Sequence, residues 1–391
     1  MEKLLADDIK TLSVSHMQTA LSNSQSDTTS FALGMPDKNL LPLDEIKDSM
    51  ASLNSPNCLQ YQPPIKKLKN HIKQIMSMKN IECEDNQIII TSGAQQAMTL
   101  LSRLFLNKGD EVFVDEVSYP GFIQIAKSYS ANLHEVPWVE NQGPNLKALE
   151  SVLSIKKKCK FFYTIPDGHN PIGQNITANC RKTCIDFSTK HGLPILEDDA
   201  YGFLNYDNSL SVPMIYYNPQ HVIYIGTFSK IFAPSMRVGW VVAPSYIIQK
   251  LEILKESNDI NTSTFSQHVL SSTLERISIF QHLKLINKIY KEKRDIMVNS
   301  IKKYVPSMIF NIPSNGFFIW GKIPGINTDK LFEIATKHFK VSFIPGNACS
   351  ISKTHQNYLR LSFSYCTASE IEDGIKRLSK AMQFCLKNNQ K

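Results

Sequence analysis

HVIYIGTFSKIFAPSMRVGWVVA, residues 221–243, holds two apolar β-branched runs, HVIYIGT (221–227) and RVGWVVA (237–243), with Lys230 between them. Short runs of this composition, bounded by turn residues, read as buried strands. Working outward, the same kind of run recurs as QIIITS (87–92), EVFVDE (111–116), KFFYTIP (160–166) and LPILEDD (193–199), each separated from the next by a helical pattern. That alternation predicts βαβ units and a mainly parallel sheet, an α/β fold. After Pro244 the pattern turns helical through SYIIQKLEILKES and the lysine-rich IYKEKRDIMVNSIKKY, read as a long connecting helix into a second unit. FFIWGKI (317–323), KVSFIPG (340–346), YLRLSFS (358–364) and a helix from about Ser369 then predict a small α+β domain. At the other end, residues 1–30 read as a short amphipathic helix and a loose polar arm, ahead of the landmark LGMPDKNLLP (33–42).

A chain of 391 residues with 42% hydrophobic content can bury a substantial core divided between a large and a smaller domain. The formal charge of +8 is spread over scattered lysines, which argues against a nucleic-acid surface. The first twenty residues lack the apolar stretch of a secretory signal, and no segment is long and apolar enough to span a bilayer, so no membrane partner and a cytoplasmic location are expected. The eight cysteines form no CxxC pair and read as reduced thiols. Cys180, Cys184 and His191 superficially suggest a metal site, but known zinc spacings are tighter and usually doubled, so no metal is expected.

Four segments carry chemistry. Lys230 is flanked by Thr227 and Ser229, with Arg237 seven positions on. An amine forms an imine with an aldehyde, while hydroxyls and a guanidinium hold a phosphate; the segment therefore suits a phosphorylated aldehyde, or else a solvated lysine beside a core strand. ILEDDAYGF (195–203) places Asp198 at the C-terminal end of a buried strand, where ligands bind in such sheets, and Tyr201 three residues later. A carboxylate there keeps a pyridinium nitrogen protonated and a phenol can bond the ring oxygen. The competing reading, a turn or helix cap, is the better one for Asp199. In TIPDGHNPIG (164–173), Asn170 and Pro171 form either a plain turn or an amide that reaches a ring oxygen and a substrate carboxylate. In TSGAQQAM (91–98), a strand runs into a helix through small residues, so backbone N–H groups can approach a phosphate, without a dinucleotide or Walker glycine pattern.

Together with LQY (59–61), SYPGF (118–122), LGMPDKNLLP and YLRLSFS, these segments resemble the fold-type I pyridoxal-phosphate enzymes, class I/II aminotransferases, over nearly the whole chain. The subgroup it is most similar to contains 2-aminoadipate and kynurenine aminotransferases and the effector domains of GntR-type regulators. The resemblance implies a large domain with a mainly parallel seven-stranded sheet plus a smaller α+β domain. The divisions it implies are 1–45 for an arm and part of the small domain, 46–285 for the cofactor-binding domain and 286–391 for the small domain. It implies pyridoxal 5′-phosphate as cofactor and amino and 2-oxo acids as substrates. Lys230 would be the Schiff-base lysine and proton shuttle, Asp198 the pyridinium partner, and Tyr201 and Asn170 contacts to the ring hydroxyl, with Tyr119 stacked on the ring. The phosphate would be held by Ala94, Gln95, Thr227, Ser229 and Arg237, and by Tyr61 from the other subunit of an obligate homodimer. Arg360 would clamp the substrate α-carboxylate, assisted by Asn170 and the backbone near Gly34, a planar fork on a planar anion.

Four departures from the family pattern stand out. After Tyr61 the chain reads QPPIKKLK, about two residues shorter than usual, with the helix expected to start at the prolines. His169 precedes Asn170 and reads as a structural histidine, although a ring this near the cofactor could titrate. Cys349 stands where an aromatic is common and Asn315 where a glycine is common; both are expected to alter the substrate pocket.

The implied reaction moves the amino group of an L-amino acid to a 2-oxo acid by a ping-pong route, with neutral Lys230 as the base. Elimination, replacement, decarboxylation or cyclisation on the same scaffold stays open, because one carbanion feeds them all. A ligand-sensing regulator is disfavoured, since only about thirty residues precede LGMP. No arginine occurs before Arg103, so an N-terminal clamp for a distal carboxylate is lacking and aromatic, aliphatic or specialised donors are expected over dicarboxylates.

Overall fold

The computed structural model of the protein describes residue 4 and residues 27–155, 159–207 and 209–388; the amphipathic start of the chain lies outside the described residues. Seven strands make the central sheet: β1 (Ile88–Thr91), β2 (Glu111–Asp115), β3 (Asn132–Val136), β4 (Cys159–Thr164), β5 (Ile195–Asp198), β6 (Val222–Thr227) and β7 (Gly239–Val242). Their spatial order is β1-β7-β6-β5-β4-β2-β3. Every residue of β1, β2, β5, β6 and β7 is buried, which is why each reads as a continuous apolar run with helices over both faces. The seventh strand, β3, sits at the edge with the polar sequence NLHEV and only Val136 buried, so it has no apolar run to betray it.

All neighbouring pairs are parallel except those of β7, which is antiparallel to both β1 and β6. A parallel return needs a crossover of a dozen or more residues, and residues 228–238 are too few for one, so the chain must double back. Lys230 lies in that tight connection. The parallel strands end on one edge of the sheet, which gathers Thr91, Asp115, Thr164, Asp198 and Thr227, the edge where α/β sheets bind ligands.

The helix Ile279–Tyr304, 26 residues long, leads to a second, antiparallel sheet of β8 (Ile309–Phe310), β9 (Phe318–Lys322), β10 (Ile344–Pro345) and β11 (Tyr358–Ser362), ordered β8-β9-β11-β10. Thr29–Ser30 pairs parallel with Val341–Ser342 beside it, so the segment leading to LGMP crosses between the two sheets. One expectation is corrected here. The helix after Tyr61 begins at Lys66, because Ile65 is extended (ψ 117°) and its N–H donates to Gln267 Oε1 at 3.2 Å, leaving both prolines outside the helix.

Candidate active site

A cavity of about 380 Å³ opens at the C-terminal edge of β1, β5 and β6 and is closed on its far side by Phe318 and Arg360 of the small sheet. It brings together Gly34, Ala94, Gln95, Tyr119, Asn170, Asp198, Tyr201, Thr227, Ser229, Lys230, Arg237 and Arg360. Of the residues expected to bind cofactor or substrate, Tyr61 lies outside this cavity and is 75% exposed.

Lys230 Nζ donates to the Gly34 carbonyl at 2.8 Å, tying the β6–β7 connection to the LGMP segment. Burial, then the guanidinium groups of Arg360 and Arg237, lower its pKa to about 8, against the opposing pull of Asp198. It is thus an amine that gives up its proton near neutrality.

Asp198 ends β5 and is buried. Its Oδ2 accepts from the Tyr163 hydroxyl at 2.7 Å, while its Oδ1 has no hydrogen-bond partner among the described residues. Burial pushes its pKa up to about 6, with Tyr163 and Lys230 acting against the rise and Asp199 adding to it. A carboxylate with one oxygen anchored and the other open faces a missing donor.

At the other end, the helix Ala94–Phe105 starts from Gly93 with no side-chain cap, so its first N–H groups are free for an anion. Arg237 bonds the Ser92 carbonyl at 3.0 Å and Ser229 Oγ at 3.4 Å, and Thr227 Oγ1 donates to Ser229 Oγ at 3.1 Å. Guanidinium, two hydroxyls and a helix N-terminus converge there, a donor set for a phosphate. The Tyr119 hydroxyl reaches Gln95 Oε1 at 3.4 Å.

Arg360 is 3% exposed, and no carboxylate among the described residues pairs with it. One Nη donates to Asn170 Oδ1 at 2.7 Å, the other to the Ala32 carbonyl, and the guanidinium lies 4.2 Å from the Phe318 ring centre. A buried cation without a counter-charge is costly unless an anion completes it. Asn170, held at the cis bond to Pro171, links the two sheets through this contact.

His169 is fully buried, pairs through Nε2 with Asp115 at 3.0 Å and sits against Trp138; it does not line the cavity. Two expectations are corrected. Cys349 is buried among Ala32, Val117, Ile172 and Ile344, and burial pushes its thiol up to about 11. Asn315 accepts from Asn175 and Asn205 at 2.8 and 3.1 Å. Neither lines the cavity, because both side chains turn into the packing behind it.

Asp199, read as a turn or cap residue, does accept the Gly202 N–H at 2.9 Å, but its other oxygen is ion-paired with Lys79 and accepts from the Tyr224 hydroxyl at 2.6 Å. Lys79, Tyr163 and Tyr224 carry no local signal, because they lie 25 to 120 residues from the acids they serve and meet them through strand register or, for Lys79, through the turn after the helix Lys66–Ser77.

Residues 27–378 match the family described as aminotransferase class I and II. The aromatic-amino-acid aminotransferase 1 of Thermococcus litoralis is 33% identical, aligned over 92% of this chain and 88% of its own length. The crystal structure of Pyrococcus horikoshii kynurenine aminotransferase in complex with PMP is 32% identical, covers 98% of each chain and superposes with a TM-score of 0.91. The α-aminoadipate aminotransferase of Thermus thermophilus, crystallised with N-(5′-phosphopyridoxyl)-L-leucine, is 28% identical, with 99% of each chain covered and a TM-score of 0.91. The fold of two sheets around one cavity, and the sequence across nearly all of it, place this chain in the class I and II aminotransferase family.

Proposed function

We propose that the cavity holds pyridoxal 5′-phosphate and uses it to move the amino group of an L-amino acid to a 2-oxo acid, with Lys230 as the lysine that binds the cofactor and shuttles the proton. The observation that carries this reading is the meeting, in one cavity, of an amine of lowered pKa, a carboxylate with an open oxygen and a buried guanidinium without a counter-charge. Each fits one part of the chemistry: Lys230 an aldehyde, Asp198 Oδ1 a ring N–H, Arg360 a carboxylate. The donor set of Ala94, Gln95, Thr227, Ser229 and Arg237 fits the phosphate. When bound, the cofactor supplies a protonated aromatic ring that accepts electron density from the substrate α-carbon.

The rest is the work of the chain. Lys230 Nζ takes a proton only when neutral, and burial with two neighbouring guanidinium groups brings that state within reach at physiological pH. With the cofactor bound, Asp198 would keep the ring nitrogen protonated, Tyr201 and Asn170 would hold the ring oxygen, and Tyr119 would lie against the ring. Arg360, steadied by Asn170 and Phe318, would hold the α-carboxylate of a substrate in the cavity that Lys230 also lines.

Leu33, Met35 and Phe318 line the substrate side, and Arg237 and Arg360 are the arginines of the cavity among the described residues. Both have an anion to hold in this reading, the phosphate and the α-carboxylate, so the donor is an aromatic, aliphatic or otherwise specialised amino acid in preference to a dicarboxylate; relatives are named both for aromatic substrates and for α-aminoadipate. The active unit is a homodimer: Leu43, Met50, Leu59, Tyr61 and Phe280 are exposed apolar residues on neighbouring elements, a surface that suits burial against a second copy and lets Tyr61 reach the partner's phosphate. The proposed division into 1–45, 46–285 and 286–391 assigns the seven-stranded sheet to the second unit and the sheet that carries Arg360 to the third, with the last boundary inside the helix Ile279–Tyr304. Among the described residues no helix is long and apolar enough to cross a membrane, which fits a cytoplasmic enzyme.

The test is Lys230→Ala. It is expected to abolish the visible absorbance of the bound cofactor and turnover together; retained absorbance with normal turnover overturns the assignment. A panel of amino acids with 2-oxoglutarate defines the reaction, since release of ammonia or pyruvate without glutamate would show elimination in place of transfer.

A further inference from the structure

The end of β5 and the residue after it carry three consecutive carboxyl groups, Glu197, Asp198 and Asp199, at 0%, 3% and 2% exposure. Adjacent charges repel and burial favours the neutral form, so each group that stays ionised needs its own compensation. Asp199 has an ion pair with Lys79, the Tyr224 hydroxyl at 2.6 Å and the Gly202 N–H at 2.9 Å. Glu197 accepts the N–H groups of Met214 and Ile215 at 2.7 and 2.9 Å, and burial still pushes it up to about 7. Asp198 has one hydrogen-bond donor among the described residues, the Tyr163 hydroxyl at 2.7 Å. That hydroxyl cannot wander: Tyr163 is fully buried on β4, paired opposite Leu196, with its ring stacked on Phe122 at 3.7 Å and 7°.

We propose that Tyr163 is a positioning residue that keeps Asp198 ionised and holds its Oδ1 toward the cofactor ring nitrogen, so that the protonation of the ring is governed from strand β4. This rests on the reading of the cavity as a pyridoxal-phosphate site. The charged and titratable groups around Asp198 are Tyr163 from β4, Asp199 from its own strand end, Lys230 from the β6–β7 connection, Tyr119 from the start of the helix Pro120–Ser128 and Tyr201 from the loop after β5. Burial is the largest influence and raises the carboxyl; the Tyr163 bond is the largest that opposes it, Asp199 acts with burial and Lys230 against. Lys230 has to lose its charge to engage an aldehyde, and at that moment Tyr163 is the remaining group of these that favours the carboxylate. A phenylalanine at 163 keeps the ring and the stacking and removes only that bond.

The experiment titrates apoenzyme with pyridoxal 5′-phosphate and follows the pH midpoint of the bound cofactor's visible band in wild type, Tyr163→Phe, Asp198→Asn, the double variant and Phe122→Leu. Tyr163→Phe is expected to weaken cofactor binding by up to about tenfold, because Asp198 without that bond is more protonated and must be ionised to meet the ring N–H. It is also expected to raise the midpoint, because a less protonated ring withdraws less electron density from the nitrogen joined to Lys230. In the Asp198→Asn background the same change is expected to have less than about a twofold effect, since the residue it acts through is gone. Phe122→Leu, which removes packing and leaves the hydroxyl, is expected to keep the wild-type midpoint. A Tyr163→Phe enzyme with wild-type affinity and midpoint, an equal loss in the Asp198→Asn background, or a Phe122→Leu midpoint displaced as far, each overturns the proposal. Wild-type protein that shows no visible band overturns the cofactor reading itself.

Discussion

Replacing Arg360 by glutamine separates the grip on substrate from the grip on cofactor. The guanidinium is 3% exposed, is oriented by Asn170 at 2.7 Å and by the Ala32 carbonyl, and rests on Phe318. A carboxylate seated there receives two charge-assisted hydrogen bonds, each contributing about 1.5–3 kcal/mol. Glutamine keeps one neutral donor, so the net loss is about 3 kcal/mol, or roughly a hundredfold in kcat/KM. The clamp acts on bound substrate before and during the reaction, so most of that loss belongs in KM. The assay is single-turnover absorbance of holoenzyme mixed with increasing amino acid, beside a titration of apoenzyme with cofactor. Because Arg360 is distant in role from the phosphate donors, cofactor affinity is expected to stay within about threefold, the scale of an indirect effect. A second readout comes free: Arg360 is the largest influence after burial that lowers Lys230, so its removal moves the Lys230 pKa above about 8. A kcat/KM loss below about fivefold, which is under 1 kcal/mol, or a fall in cofactor affinity in step with it, refutes the clamp.

Two further outcomes follow from the same geometry. Only the neutral amine attacks an aldehyde, and the Lys230 pKa is lowered to about 8, so capture of cofactor by the apoenzyme should accelerate with rising pH and level off above that value. A stopped-flow profile with its midpoint near the ordinary lysine value of about 10.5 would contradict it. Lys79→Met strips the ion pair from buried Asp199 and the 3.9 Å contact with Asp167, and is expected to destabilise the fold by about 3–5 kcal/mol in denaturant unfolding; a change under about 1 kcal/mol would show that pair to be dispensable.

What the sequence shows and hides divides along physical lines. Lys230, Asp198, Asn170 and Arg360 stand out because each sits on a strand or in the connection just after one, next to residues that make the same chemical sense locally, and the cavity gathers all four. The strand Asn132–Val136 is hidden because an edge strand needs no apolar run, and the helix after Tyr61 starts late because Gln267, two hundred residues on, takes the Ile65 N–H. Tyr163 and Lys79 are hidden for a different reason. Their partners are fixed by register and packing, which no local pattern encodes, and within KFFYT a tyrosine is indistinguishable from one more core aromatic. Tyr61 is legible in neither way, since its surroundings in one chain are solvent.

The single antiparallel strand accounts for how a lysine and a phosphate grip come from one short stretch. Because β7 doubles back, Gly239 lies opposite both Thr227 and Thr91, and Arg237, two residues earlier, is delivered to the start of the helix Ala94–Phe105. A crossover to a parallel strand would have carried residues 228–238 over a face of the sheet and away from β1. The fit at that meeting point is close enough to constrain the chain: Gly93 has φ +82°, and a Cβ there would stand 2.6 Å from Arg237 Nη2. A side chain at that position is disfavoured twice, once by the left-handed backbone and once by displacing the guanidinium. The glycine in TSGAQQAM is therefore tied to the arginine in SKIFAPSMR, and the two motifs, some 140 residues apart, form one anion site because one strand runs against the rest.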